Sequence, residues 1–550
     1  MEAPATSPEA SDAPRHHGPR EAFGHVLART QRWFSELDAI RPRPAGDEVV
    51  AAMADRSDAR FLLTPALLGL LALLSIAVGS SLPSSPFKLE MPGTWFFGLP
   101  ADSGGPPHIV ADNRYLLFGL VAVYGGLVLL MRVWIQLAHA LAVRPRTSVK
   151  ALAWVLVAWT VPMLVVAPLF SRDIFSYAAQ GEMMSRHLNP YHFGPFSLGA
   201  VHYVNPVDPL WGNTPAPYGP LFLLIDGFFA RATFHHQMAS LVLLRLLAVA
   251  GVALIAYALP KLGAAEGRDP GQVFVLGALN PLVVLTLVAG AHNDAIMVGL
   301  LVAGLATAKR GHPTVGILLC ALAAAVKVPA GLGVLYIAWD QLGPGVPLRQ
   351  RLGPIARAGA ITAVVFAALS ALSGLGWGWV GNLATPGTVR SWVAPATGIG
   401  MALTGLLHAL GLGIDQSSVL SVTRLLGFAT AVGIGAWCLW RSDRLGSTKA
   451  VGITLLAFVV LGPVVQPWYL TWGVVVLAAV ATGRLLYAVV VLSVISPFIG
   501  LPGASQLLEE IIHADPLAIA LSLAFLLGVF LAPLGSWSRV NRNDLLASTP

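Results

Sequence analysis

Charged side chains are scarce in this chain. Its 550 residues hold 34 Lys plus Arg and 27 Asp plus Glu, 11% of the total, against about 25% in a soluble globular domain. The apolar fraction is 56% and the mean hydropathy is +0.71. This excludes a soluble enzyme, a disordered scaffold and a nucleic-acid binder, because a net charge of +7 is too dilute for a phosphate-binding stripe. Cysteine is nearly absent as well. Cys320 and Cys438 both lie in apolar runs, so there is no disulfide framework and no CxxC metal spacing. The chain has no Walker loop, no GxGxxG in a βαβ setting and no HExxH. What remains is an all-α polytopic membrane protein, since each long apolar run must satisfy its backbone hydrogen bonds internally.

Residues 1–60 read as a cytoplasmic, partly disordered tail: 1–20 are rich in Pro, Ala and polar residues, and a short amphipathic helix is expected around Phe23–Leu37. No apolar h-region precedes residue 61, so the first span reads as an uncleaved anchor. Apolar windows at 61–80, 115–138, 149–170, 237–260, 271–289, 295–308, 314–326, 329–341, 356–374, 418–440, 450–464, 469–483, 485–500 and 514–533 predict about 14 spans, several of them short. Residues 61–535 thus form the membrane domain, and 536–550 a polar cytoplasmic tail. With both termini inside, 24 of the 34 basic residues fall on cytoplasmic segments, as the positive-inside rule requires. That count needs a chain break at Lys327-Val328-Pro329.

On this map the unusual polar residues gather on the outer side. Ser171-Arg172-Asp173 and Tyr177 open a long outer segment, 171–236, with helical periodicity of its own. It also carries Trp211 and Tyr218. His292-Asn293-Asp294, Lys327, Arg390 and Gln466-Pro467-Trp468-Tyr469 complete the set. A charge at the centre of a spanning helix costs about 2.5–3.5 kcal/mol even on the lenient scale. Two acids, a histidine and cations on one face suggest an anionic ligand and acid–base chemistry, and the aromatic rings suit the apolar face of a sugar. Each residue also has a plainer reading. Ser171 or Asp173 would cap a helix starting at Ile174, and Asn293 or Asp294 would cap the sixth span. Lys327 would snorkel, Trp468 and Tyr469 would belong to an interfacial belt, and Arg390 would be a solvated loop charge. The convergence on one side favours the functional reading.

The strings SRDIFSYAAQGEMMSRHLNPY, PAPYGP, AHNDAIMVGL, AVKVPA, RSWVAPATG and QPWYLTW together resemble the actinobacterial polyprenol-phosphomannose-dependent α-1,6-mannosyltransferases, integral membrane glycosyltransferases of the GT-C superfamily. The resemblance covers about residues 60–535, with the motifs in the same order. It implies a GT-C-like helical bundle with a large outer loop bearing amphipathic helices. It implies a polyprenyl-phosphate mannose donor and an α-1,6-mannan acceptor, the backbone of lipomannan and lipoarabinomannan, at the outer face of the plasma membrane. Carried over by motif, the family's catalytic acid corresponds to Asp173. In GT-C enzymes this loop usually follows the first span, whereas here two further spans precede it.

The mechanism implied is a single inverting displacement. Asp173 is the general base, and Lys327 and Arg390, with Arg172 as an alternative, stabilise the leaving phosphate. His292 and Asp294 position hydroxyl groups, Trp211, Tyr218 and Trp468 supply sugar-stacking surfaces, and Tyr177, Asn293, Gln466 and Tyr469 are further substrate-binding candidates. No cofactor is required, although Asp173 with Asp294 is a conceivable divalent-metal pair. Three other readings compete: transfer of a different polyprenyl-phosphate sugar such as arabinose, a lipid-linked-sugar flippase, and a structural or adaptor role. A flippase should show inverted repeats with charge at mid-bilayer. No repeat is visible, and the charges lie at one face. An adaptor leaves the clustered polar residues unexplained.

Overall fold

The computed structural model describes residues 51–82, 94–96, 99–101, 113–143, 147–499, 501 and 527. The expected amphipathic helix at 23–37, the last span at 514–533 (residue 527 apart) and the tail at 536–550 lie outside the described residues. Apart from a hairpin pairing Thr94–Phe96 with Leu99–Ala101, the regular structure is helical. Helices of eight or more residues are α1 Ala51–Ser81, α2 Asn113–Val143, α3 Val149–Val165, α4 Asp173–Ser185, α5 Pro220–Ala232, α6 Gln237–Ala265, α7 Pro270–Gly277, α8 Asp294–Lys309, α9 Pro313–Val326, α10 Gly331–Asp340, α11 Leu348–Ser373, α12 Pro395–Ala409, α13 Gln416–Trp440, α14 Ser447–Val460, α15 Pro467–Ala478 and α16 Gly483–Ile495.

By length and composition, five helices among the described residues are able to cross a membrane: Phe61–Ser81, Gly119–Ala142, Gln237–Ala265, Leu348–Ser373 and Gln416–Trp440. A sixth arises if a bent pair is counted as one span, and six further apolar helices have 10–17 residues. The structure is therefore all-helical and built for a membrane, but the expected count of about 14 is not reproduced. One difference explains part of this, and a second adds a helix instead. The window 271–289 is not one helix: it divides into α7 and a π-helical turn, Val283–Ala289. Residues 395–409, expected as loop, form α12.

The π-helical turn lies at the centre of the molecule. Every residue from Val273 to Ala295 is buried, and the turn meets α8 at 120°. The reversal passes through Ala291 at φ 52°, a left-handed conformation that a residue with a Cβ adopts only when its surroundings enforce it. α6 packs along α8 at very short range. A Cβ on Gly251 would lie 2.3 Å from the Ala295 carbonyl carbon, and one on Gly299 would lie 2.7 Å from the Gly251 oxygen. Helices in lipid associate through such small-residue contacts, because burial from water does not drive them together.

The break at Lys327 is present. α9 ends there with Lys327 extended (φ −150°, ψ 116°), one 3₁₀ turn over Val328–Ala330 follows, and α10 then begins. Val328 precedes Pro329, which disfavours continued α-helix at that point. At one end of the bundle Lys309 joins Glu266 and Asp340 at 3.2 Å each, and Arg351 meets Asp443 at 3.1 Å. These are segments that the charge pattern assigns to a common side. The outer-side motifs meet elsewhere.

Candidate active site

Asp173 is the first residue of α4. Its backbone N–H is capped by the Ser171 hydroxyl at 3.1 Å, and Arg172, at the cap position, gives no side-chain cap. The Asp173 carboxylate is thus not spent on capping. It points instead toward His292, whose Nδ1 lies 3.5 Å from Oδ2; the carboxylate is 16% exposed and the imidazole 1%. The Tyr177 hydroxyl is also 3.5 Å from His292 Nδ1, one helical turn beyond Asp173. The indole of Trp468 stacks on the His292 ring, with centroids 3.8 Å apart and planes 16° from parallel. Its Nε1 has no partner among the described residues.

The second acid has a different role. Asp294 opens α8, but no side chain caps that helix. The Asp294 carboxylate is fully buried and accepts from Lys327 Nζ at 3.0 Å on both oxygens, and the indole N–H of Trp472 donates to Oδ1 as well. Lys327 is 8% exposed and lies over the ring of Tyr469 at 4.4 Å, with Trp472 at 5.4 Å and Tyr218 at 5.7 Å. It does not snorkel, and its charge is met by an internal partner. Lys327, expected to stabilise the leaving phosphate, is thus paired with Asp294 in the structure.

Two loops bring these parts together. The Gly219 N–H donates to Val326 O at 2.9 Å, so PAPYGP is paired with the backbone just before Lys327, and Tyr218 comes to lie over the ammonium. A Cβ at Gly219 would stand 2.1 Å from the Ala325 oxygen, so only glycine fits. The Tyr191 hydroxyl donates to Tyr218 O at 3.0 Å. The far end of α4 is fixed by Glu182, fully buried, which accepts from Arg186 at 2.6 Å and meets His235 at 2.8 Å. Tyr177, Tyr218 and Phe222 pack edge to face at 5.0–5.4 Å.

Asp173, Tyr177, Tyr218, His292, Asp294, Lys327, Trp468 and Tyr469 are thus linked by contacts into one cluster. Asn293 lies between two of its members, 3% exposed, with neither amide atom partnered among the described residues. Arg172 is half-buried beside Asp173, with no ion-pair partner recorded among the described residues. Gln466, half-buried, precedes α15 without capping it. Trp211 lies on a short helical turn, Pro209–Gly212, away from these contacts. Arg390 is exposed and lies near Asp415 and Arg424. Sequence reasoning missed Trp472, although it stands three residues after Tyr469, where helical spacing puts both rings on one face. Among the described residues no group of three or more His, Cys, Asp or Glu side chains is arranged to hold a metal.

An acidic side chain backed by imidazole, a buried ion pair and a wall of aromatic rings suits acid–base chemistry on a sugar. Comparison with known proteins agrees. A family model described as the N-terminal domain of alpha-(1->6)-mannopyranosyltransferases matches residues 66–342, and one described as the MptB C-terminal domain matches 396–532. A probable alpha-(1->6)-mannopyranosyltransferase of Mycolicibacterium smegmatis is 34% identical over 412 residues, 67% of this chain and 72% of its own. Alpha-(1->6)-mannopyranosyltransferase A of Mycobacterium tuberculosis is 33% identical over 384 residues, with the same coverage. Alpha-(1->6)-mannopyranosyltransferase B of Corynebacterium glutamicum is 29% identical over 408 residues, 69% of this chain and 66% of its own. The chain belongs to the alpha-(1->6)-mannopyranosyltransferase family and is a glycosyltransferase.

Proposed function

We propose that this enzyme transfers mannose from polyprenyl-phosphate mannose to a growing α-1,6-mannan backbone at the extracytoplasmic face of the plasma membrane, with inversion at the anomeric carbon. Asp173 is the general base. It takes the proton from the acceptor's primary hydroxyl as that oxygen bonds to C1, while the C1–O bond to phosphate breaks and its electron pair leaves with the lipid phosphate. A positioned base of this kind contributes about 10²–10⁴-fold. The observation that carries the reading is the partly accessible Asp173 carboxylate, 3.5 Å from His292, whose ring is stacked on Trp468.

The remaining parts fit around it. Arg172 is the cation available to the departing phosphate, and the helix N-terminus on which it stands also favours negative charge. Lys327, already paired with Asp294, fixes the floor of the site. Asn293 offers an unpartnered amide to sugar hydroxyls. A small cleft beside His292 and Trp468, lined by Leu169, Phe170, Leu285, Ile499 and Leu501, is largely apolar.

The test is mannose transfer from radiolabelled polyprenyl-phosphate mannose by membranes containing Asp173→Asn. Transfer should fall at least 10²-fold with the protein still inserted at the normal level. Transfer at the unsubstituted rate removes Asp173 from the role.

A further inference from the structure

Arg245 stands in the apolar run of α6, more than two turns from its start, and is 5% exposed. A cation inside a spanning helix is costly and is retained where it has internal partners. Here the partners are main-chain carbonyls from two other segments. Nη1 donates to Val166 O at 2.5 Å and Leu164 O at 3.1 Å, at the end of α3, and Nη2 reaches Ala289 O at 3.4 Å, the last residue of the π-helical turn. The same Ala289 oxygen accepts from the Leu169 N–H at 3.0 Å. Arg245 therefore binds together the two chain segments that enter the active site.

Each segment then passes through a strained residue to a member of the acid–histidine contact. Phe170, at φ 65°, comes three residues before Asp173, and Ala291, at φ 52°, comes one residue before His292. Left-handed residues with a Cβ persist only where the surroundings over-determine them. The planar guanidinium, with five donors in a fixed fork, supplies that constraint in a way a lysine ammonium does not. We infer that Arg245 is a positioning residue: by fixing the carbonyls of Leu164, Val166 and Ala289 it holds Asp173 and His292 in register with each other.

This inference rests on Asp173 being the base, so the experiment includes a control for that reading. Arg245→Lys, His292→Ala, the double variant and Asp173→Asn are each assayed in membranes for mannose transfer, per folded protein. Arg245→Lys keeps the charge that an insertion or folding role would need. It should lower kcat about 10–10²-fold, the scale of a small misplacement of a reacting group, and leave donor KM unchanged. The double variant should be no more than about twofold slower than His292→Ala, because both changes remove the same contact. The inference is overturned if the two losses multiply, if Arg245→Lys changes KM alone, or if it has full kcat. Should Arg245→Lys fail to accumulate, Arg245→Gln enters the same cycle; failure of both assigns Arg245 to folding and also overturns it. Full activity in Asp173→Asn would instead sink the underlying reading.

Discussion

Lys327 Nζ sits 3.0 Å from both carboxylate oxygens of Asp294, with the two side chains 10% and 0% exposed. They are 33 residues apart and terminate different helices: Asp294 opens α8, and Lys327 closes α9. The pair therefore fixes the chain break to the base of the site, with Trp472 completing the acceptor side. Removing one partner leaves an uncompensated buried charge, which typically costs about 3–5 kcal/mol, whereas removing both costs much less. Lys327→Met and Asp294→Asn should each lower the melting temperature in detergent sharply, and the double variant should recover much of the loss. Additive losses would show that the two charges do not depend on each other.

Gly219 tests how the loop before α5 is seated. Its N–H bonds to Val326 O, and its missing Cβ makes room for the Ala325 carbonyl. Gly219→Ala places a methyl group 2.1 Å from that oxygen, and the neighbour is backbone, which cannot rotate away. The loop must lift, taking Tyr218 off Lys327. Gly219→Ala should lower mannose transfer by an order of magnitude or more and reduce thermal stability. Unchanged transfer would mean that the position of Tyr218 does not matter to the chemistry.

Much of this site was legible in the sequence, for physical reasons that differ by residue. Asp173, His292, Asp294 and Lys327 are conspicuous because polar residues at the ends of apolar runs need a cause, and the break at Lys327 followed from charge counting before any contact was known. The partners of each carboxylate were not legible. Asp173 and Asp294 occupy the same first-residue position on their helices, and only the tertiary structure separates a partly exposed carboxylate beside His292 from a buried counter-ion. Arg390 carried the same signal as Lys327 but came out exposed. Arg245 is a lone cation within an apolar run that the sequence reading did not single out, and its carbonyl partners lie 44 to 81 residues away. The count of about 14 spans is not confirmed among the described residues, in part because windows of apolar residues conceal a turn: 271–289 reads as one helix, but it bends around a π-helical segment whose residues are all buried.

Asp226, on α5, provides a pH test. It is 2% exposed, and neither carboxylate oxygen has a partner among the described residues. Burial alone pushes its carboxyl well above the ordinary value of 3.8. The folded protein thus binds this proton more tightly than the unfolded chain does, and stability falls as pH rises above 3.8, reaching its full loss above the raised value. Asp226→Asn, nearly the same shape but unable to ionise, escapes that penalty. The variant should melt at a higher temperature than the unsubstituted protein at pH 7, and the gap should close as pH falls toward 3.8. A gap that stays constant across the range would show that the gain comes from packing or from new hydrogen bonds of the amide. A variant that melts lower at pH 7 would mean that the ionised carboxylate has a stabilising partner in the folded protein.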